Sequence, residues 1–222
     1  MANPMRRKFN GASATTSLTS EGQTNSLRKG PMELATLPFP LQTARLILRR
    51  FTAEDAADRF RYRKRVDVSK YLYQPAWTLE ETELKTKEAS TEPFAADNDH
   101  LVLAVERQST PGVIGEVNFR LDNVAAGQAE TGYIFHPEVH GSGYASEAMR
   151  ALLRVGFANI GFHRVFARLD EENVGSVKMS QRLGMRQEAR LVENDVRDGV
   201  LGTELIFAML RSEWEGAQLD AT

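Results

Sequence analysis

The chain has 222 residues, 41% hydrophobic and 26% charged, which fits one globular domain with room for an appended tail. It has no cysteine, which excludes a disulfide framework, a Cys-ligated zinc site and any acyl-cysteine intermediate. The net charge of −2 is unevenly placed: Arg6, Arg7, Lys8, Arg28 and Lys29 against Glu21 leave residues 1–31 at +4 and the rest at −6.

An acidic body argues against nucleic-acid binding and favours small cationic or amine-bearing substrates. No apolar run approaches the ~18 residues of a membrane span. The N-terminus lacks the apolar core of a secretory signal, so a cytoplasmic location is the expectation, with no membrane partner.

Residues 1–38 are rich in Ser, Thr, Asn and Gly, with too few periodic apolar residues to offset the entropy of ordering them. The expectation is a disordered tail, a domain over 39–216 and a short tail over 217–222. Met32 is an alternative start, and residues 1–31 read equally as an overlong start, a targeting segment or a tag.

Arg45 to Phe51 alternates as a strand. Thr52-Ala53-Glu54-Asp55 has the spacing of a cap and its partner, opening a helix to about Arg63. Thr78-Leu79-Glu80-Glu81 repeats the signal for a helix to about Ser90. His100–Arg107 and Val113–Leu121 read as strands, with Thr110-Pro111-Gly112 as the turn between them. Glu130–Phe135 is another strand, stopped by Pro137. Ala145, Ala148, Met149, Leu152, Leu153 and Gly156 are spaced for one buried face of a helix over Ser142–Ala158. His163–Leu169 is a strand, Asn173–Leu183 a helix, and Leu201–Leu210 a closing strand. This order implies an α/β (α+β) fold, a central mixed sheet with helices on both faces.

Two stretches carry chemistry. In His140-Gly141-Ser142-Gly143-Tyr144-Ala145, glycines at a helix entrance let the backbone approach a ligand, and free N–H groups there bind phosphate oxygens. Such a turn is equally a plain structural device. It is neither a Walker loop nor the dinucleotide fingerprint, lacking the Gly-Lys-Ser/Thr of one and the third glycine of the other. In Glu172-Asn173-Val174-Gly175-Ser176, Asn173 is a natural N-cap. Asn173, Ser176 and Ser180 share one helix face, either as a solvated stripe or as a working surface. His100, His136, His140 and His163 show no metal-ligand spacing, so no metal is expected.

Taken in order, Glu130–Glu138, the HGSGYASEAM stretch and ENVGSVKMSQRLGM resemble the GNAT superfamily of N-acetyltransferases. The resemblance runs from Leu41 to Trp214. Within it they look most like the Rim-type branch, the ribosomal-protein N-terminal acetyltransferases. It implies a mostly antiparallel sheet of the GNAT fold, acetyl-CoA as co-substrate, an amine as acceptor, and direct transfer in a ternary complex; it also allows a homodimer. The family's Q/R-x-x-G-x-G/A loop falls on His140, Gly143 and Ala145, with His140 in place of the usual Gln or Arg. The resemblance assigns the CoA pyrophosphate to backbone amides of Gly141, Ser142, Gly143, Tyr144 and Ala145. It assigns the pantetheine to backbone bonds from Ile134, Phe135 and His136 and to the Asn173 amide. The superfamily's thiolate-protonating tyrosine position holds Ser180, while the Rim-like serine falls on Ser176, the preferred candidate. Glu130, at the start of the strand expected to pair with pantetheine, is the first candidate for the base, and Asp195 is its rival. Tyr71 and Trp77 lie where the family shapes the acceptor side. An α-amine, at a reference pKa of about 7.7–8.0, needs little help to deprotonate, which favours peptide N-termini over lysine ε-amines near ~10.4. A small-molecule amine such as an antibiotic or polyamine is the alternative, and a non-catalytic acetyl-CoA-binding module the third reading.

Overall fold

The computed structural model describes residues 37, 39–72, 74–197 and 199–219. In chain order the elements are β1 (Leu41–Gln42), β2 (Leu46–Arg50), α1 (Ala56–Arg63), α2 (Val66–Ser69), α3 (Leu79–Thr91), β3 (His100–Arg107), β4 (Thr110–Asn123) and β5 (Gln128–Phe135). There follow α4 (Tyr144–Arg154), β6 (Arg164–Asp170), α5 (Val174–Arg182), β7 (Arg186–Arg197), β8 (Val200–Leu210) and α6 (Arg211–Leu219). The strands form one sheet in the order β1-β2-β3-β4-β5-β6-β8-β7. Every neighbouring pair is antiparallel except β5–β6. The mixed, mostly antiparallel sheet read from the sequence is therefore the one that forms.

Strand alternation sends the two faces of the sheet to different helices. Leu101, Leu103, Val117 and Phe119 join Met149, Leu152 and Leu153 of α4 in the main core. On the other face Ala104 and Val113 pack with Phe51, with Tyr62 of α1 and with Ala89 of α3. The caps expected from the sequence are made. Thr78 Oγ1 accepts from Glu81 N–H at 3.1 Å, and Glu81 accepts from Thr78 N–H at 2.8 Å. Thr52 N–H donates to Asp55 at 2.7 Å, opening a single 3-10 turn ahead of α1. No described helix is long and apolar enough to cross a membrane.

The structure corrects two element boundaries. Thr110-Pro111-Gly112 lies inside β4, because the turn falls on Gln108 and Ser109. The pairing jumps from Val105↔Gly115 to Glu106↔Val113 and Arg107↔Thr110, so the extra residues bulge. Asp58 of α1 holds the bulge by accepting from Val113 N–H at 2.9 Å. The long helix expected to run to Ala158 is α-helical only to Arg154 and widens into a π-helical turn over Val155–Ile160. At the ends, Leu37 is buried in the core although it precedes the boundary at 38, and residues 1–36 lie outside the described residues. Helix α6 passes the boundary at 216, with Trp214 stacked on Phe157 at 5.6 Å.

Gly156 in the π-helical turn lets the core close. A Cβ there would sit 2.7 Å from Phe119 Cζ and 3.1 Å from Phe162 Cδ2. Phe119 is fully buried and cannot swing away. Gly156→Ala should therefore destabilise by about 1–3 kcal/mol through overpacking, whereas the helix propensity of alanine alone would stabilise by about 1 kcal/mol. Urea unfolding decides the sign, and a more stable variant would mean that the ring makes room.

Candidate active site

Strands β5 and β6 pair only at Gln128↔Arg164, Ala129↔Val165 and Glu130↔Phe166. Beyond that, β5 continues to Phe135 against β4, and β6 continues to Asp170 against β8. The two strands part, leaving one edge of β5 open. His136 N–H donates to Ile114 O at 2.9 Å, across the register that pairs Ile134 with Glu116. Backbone groups of alternate residues point the same way. Ile134 and His136 are thus turned toward β4, and the open edge is offered by Tyr133 and Phe135. Phe135 O accepts from His140 Nε2 at 3.4 Å from that side. Of the three residues expected to bind pantetheine through the backbone, only Phe135 faces the opening; Tyr133 replaces its neighbours.

A cavity of about 1300 Å³ lies along this edge, lined by Phe135, His140, Gly141, Gly143, Tyr144 and Ala145 among others. Gly141 and Gly143 take left-handed φ angles of 76° and 77°, conformations open to glycine at little cost. Gly143 is the N-cap of α4 and no side chain caps it. Glu147 N–H, bonded to Gly143 O at 3.1 Å, closes the first turn, so the N–H groups before it lead out of the helix. Arg45 stands over this entrance. It donates to Ser142 O at 3.0 Å, pairs with Glu147 at 2.6 Å and lies 4.6 Å from the Tyr144 ring centroid. Arg45, Arg150, Arg154 and Arg182 outnumber Asp67 and Glu147 along the walls, which suits a polyanionic ligand. The residues present therefore fit the pyrophosphate and pantetheine of CoA. His136 lines neither this cavity nor the next; its ring accepts from Glu138 N–H at 3.3 Å, and burial lowers its pKa.

A second cavity, of about 780 Å³, opens toward α1 and α3 and meets the first at Tyr71, Leu72, Tyr133, Ile134, Asn173, Ser176 and Met179. Asn173 caps α5 by accepting from Ser176 N–H at 3.1 Å through Oδ1, which leaves its Nδ2 to a ligand. The structural and the binding reading of Asn173 are thus compatible. Ser176 Oγ lies 3.0 Å from Tyr133 Oη. Burial raises the Tyr133 pKa, the Ser176 hydrogen bond opposes that, and the phenol stays protonated at neutral pH. Ser180 is buried on the second cavity's wall. Glu130 and Asp195 line that cavity too. Glu130 Oε2 is engaged by Arg120 at 2.5 Å, and Asp195 Oδ1 accepts from Val196 N–H at 2.9 Å.

Reading the sequence missed Tyr133, Arg45 and a buried cluster around Glu116 on β4. Strand period could have placed Tyr133 beside Phe135, but nothing local pairs it with Ser176. Glu116 accepts from Arg59 Nε at 2.8 Å, Tyr62 Oη at 2.9 Å and Arg63 Nη2. Burial would raise its pKa, but Arg63 and Arg59 pull it down to about 2. The cluster forms the floor of the second cavity beneath Trp77.

Residues 45–186 match the sequence model of the family described as "Acetyltransferase (GNAT) domain", well over half of the chain. The chain belongs to the GNAT acetyltransferase family. It is 28% identical over 180 residues to the uncharacterized N-acetyltransferase YnaD of Bacillus subtilis, covering 78% of this chain and 98% of that one. The uncharacterized N-acetyltransferase p20 of Bacillus licheniformis is 27% identical over 176 residues, with 79% and 98% covered. A GNAT-family acetyltransferase structure from Bacillus anthracis superposes with a TM-score of 0.69 at 26% identity, covering 78% of this GNAT chain and 98% of its own. The Vibrio cholerae spermidine N-acetyltransferase, solved with CoA and spermine, superposes at 0.68 with 22% identity, covering 78% and 99%. This GNAT protein is an acyltransferase whose co-substrate is acetyl-CoA.

The αL glycine at the entrance of α4 yields a direct test. Gly143→Val adds bulk where phosphate oxygens would approach and strains a φ of 77°. CoA affinity should fall tenfold or more, a loss of at least ~1.4 kcal/mol. Calorimetric titration measures it, with a cooperative thermal melt as the folding control; unchanged affinity would place CoA elsewhere.

Proposed function

We propose that this GNAT enzyme acetylates the N-terminal α-amine of a peptide or protein, as in the Rim-type branch, by direct transfer from acetyl-CoA. The observation that carries this reading is the meeting of the two cavities at Tyr133, Asn173 and Ser176. A thioester lying along the β5 edge would present its carbonyl carbon there, and an amine entering from the α1/α3 side would reach it. Holding both reactants in that geometry supplies much of the rate. Tyr133 N–H on the open edge is in place to polarise the thioester carbonyl. Amine attack forms the C–N bond and a tetrahedral intermediate. The C–S bond then breaks, and the leaving thiolate takes a proton from the Ser176 hydroxyl, which Tyr133 replenishes through their 3.0 Å contact.

Glu130 and Asp195 are the candidate acceptors of the amine's proton. Each faces the cavity, and Asp195 has the less encumbered carboxylate, since no ion pair holds it among the described residues. An α-amine is substantially neutral near pH 8 and asks little of either. The spermidine enzyme shares the fold at an identity too low to transfer its acceptor. A small amine therefore remains the second reading, and an acceptor panel with labelled acetyl-CoA (N-terminal peptides, lysine peptides, polyamines and aminoglycosides) tests the first.

Ser176→Ala should lower kcat and kcat/KM together by about 10–10³-fold while CoA affinity changes less than threefold, because the contact forms as thiolate departs. Tyr133→Phe should reproduce a smaller part of the loss. If Ser180→Ala is the damaging change instead, the roles are exchanged. For the base, Asp195→Asn and Glu130→Gln are compared from pH 6 to 10. Losing a true base removes the acidic limb and leaves a rate that climbs toward the amine's own pKa. A parent-like profile in both variants assigns the proton to bulk water.

A further inference from the structure

The cluster under the acceptor cavity is electrostatically unbalanced. Arg59 and Arg63, 2% and 8% exposed, share the single carboxylate of Glu116, itself 3% exposed. Arg59 is fully engaged, through Glu116 and through Thr86 Oγ1 at 3.4 Å. Arg63 is not. Its Nη2 donates to Glu116, but its Nε and Nη1 are buried without a hydrogen-bond partner among the described residues. Helix α3 brings Lys85, Glu88 and Glu92 to the cavity, and none is within ion-pair distance of Arg63. The Trp77 ring lies over the guanidinium, 3.9 Å from centroid to Cζ, with Trp77 N–H donating to Arg63 O at 3.0 Å.

A buried guanidinium with two idle donors and no second counter-charge is costly, and a bound anion relieves that cost. Arg59 and Arg63 line the same cavity as Ser176, so the anion belongs to whatever occupies that cavity. We propose that the acceptor amine carries a carboxylate, which displaces the Trp77 indole from Arg63 and accepts from one of its idle N–H groups. This rests on the peptide-amine reading above and narrows it to N-termini with an acidic side chain in the first two positions. The shared chemistry is an amino-carboxylate, so a free acidic amino acid is the other source. Glu88, Glu92, Glu130, Asp195 and Glu204 also line this cavity and suit an ammonium, so a polyamine is the competing acceptor in the test.

The experiment uses the full chain and acetyl-CoA. The acceptors are peptides bearing Glu, Gln or Lys at the first two positions, free glutamate, and spermidine. The Glu peptides should exceed their Gln counterparts in kcat/KM on the order of tenfold or more, as expected where a site's donors are otherwise left unpaired. Arg63→Gln should bring that ratio toward one. Arg63→Lys keeps a charge for Glu116 but loses the idle guanidinium donors, and guards against a variant that fails to fold. Equal rates for Glu and Gln peptides, a ratio that survives both variants, or a preference for Lys peptides or spermidine overturns the carboxylate while leaving acetyl transfer intact. Free glutamate turned over with all peptides inert supports the carboxylate and overturns the peptide reading. A second readout needs no turnover. In Trp214→Phe protein with CoA bound, Trp77 emission should shift on adding glutamate or the Glu peptides and not on adding the Lys peptides. Silence to every carboxylate ligand overturns the proposal even if no acceptor reacts.

Discussion

Strands β5 and β6 run side by side for three residues and then separate, and the backbone polar groups along the parted edge must find partners. Each strand remains paired on its far side, β5 with β4 and β6 with β8, so the parting gives up only one short ladder. A ligand with its own amides, as the pantetheine arm of CoA has, can complete that ladder. The same separation lets the two faces of the sheet communicate. One cavity follows the edge toward α4, the other opens toward α1 and α3, and Tyr133, Ile134, Asn173, Ser176 and Met179 line both. A closed sheet with identical helices would hold neither the thioester nor a route for the amine to it.

Helices entering this region satisfy their first N–H groups in different ways, and the differences sort structure from chemistry. Helix α3 is closed by the reciprocal bonds of Thr78 and Glu81. Helix α5 is capped by one oxygen of Asn173, which leaves the amide nitrogen of the same side chain for a ligand. Helix α4 begins at a left-handed glycine with no side-chain cap, beside Arg45. An uncapped helix start is a standing cost of unpaired donors, and phosphate oxygens are its natural remedy.

Local signals make the helices and most strands legible in the amino-acid sequence. Thr78 with Glu81, Asn173 as a cap, and the apolar face of α4 each act within a few residues. The turn at Gln108–Ser109 is hidden because Pro111-Gly112 carries the stronger turn signal, and only Asp58 on α1 shows that it is a bulge. The Tyr133–Ser176 pair and the Arg59–Arg63–Glu116 cluster are hidden for a related reason. Their partners are tens of residues apart, and polar contacts between elements leave no periodicity in the chain. Glu130 stands out by its place on the strand, yet its pairing with Arg120, ten residues back, is a feature of strand register that composition does not reveal.

Charge illustrates how far a global property can mislead about a site. The body of the chain is acidic, and taken alone that favours a cationic partner. Long-range fields of that kind are screened within about 8–10 Å at ordinary salt. At the floor of the second cavity the local balance is set instead by Arg59, Arg63 and Glu116, which are almost wholly sealed from water. Glu116 stays ionised there because two guanidinia hold its pKa at about 2, so it cannot neutralise more than one of them. Pairing explains why α1 stays docked on β4, since Arg59, Tyr62 and Arg63 all converge on the same carboxylate. It does not explain a second guanidinium with idle donors, because one arginine and the Tyr62 hydroxyl would dock the helix at lower cost. The Trp77 ring stacks on that surplus cation, but an aromatic face does not satisfy N–H donors that lack a partner among the described residues, and those are what an anion in the cavity would take.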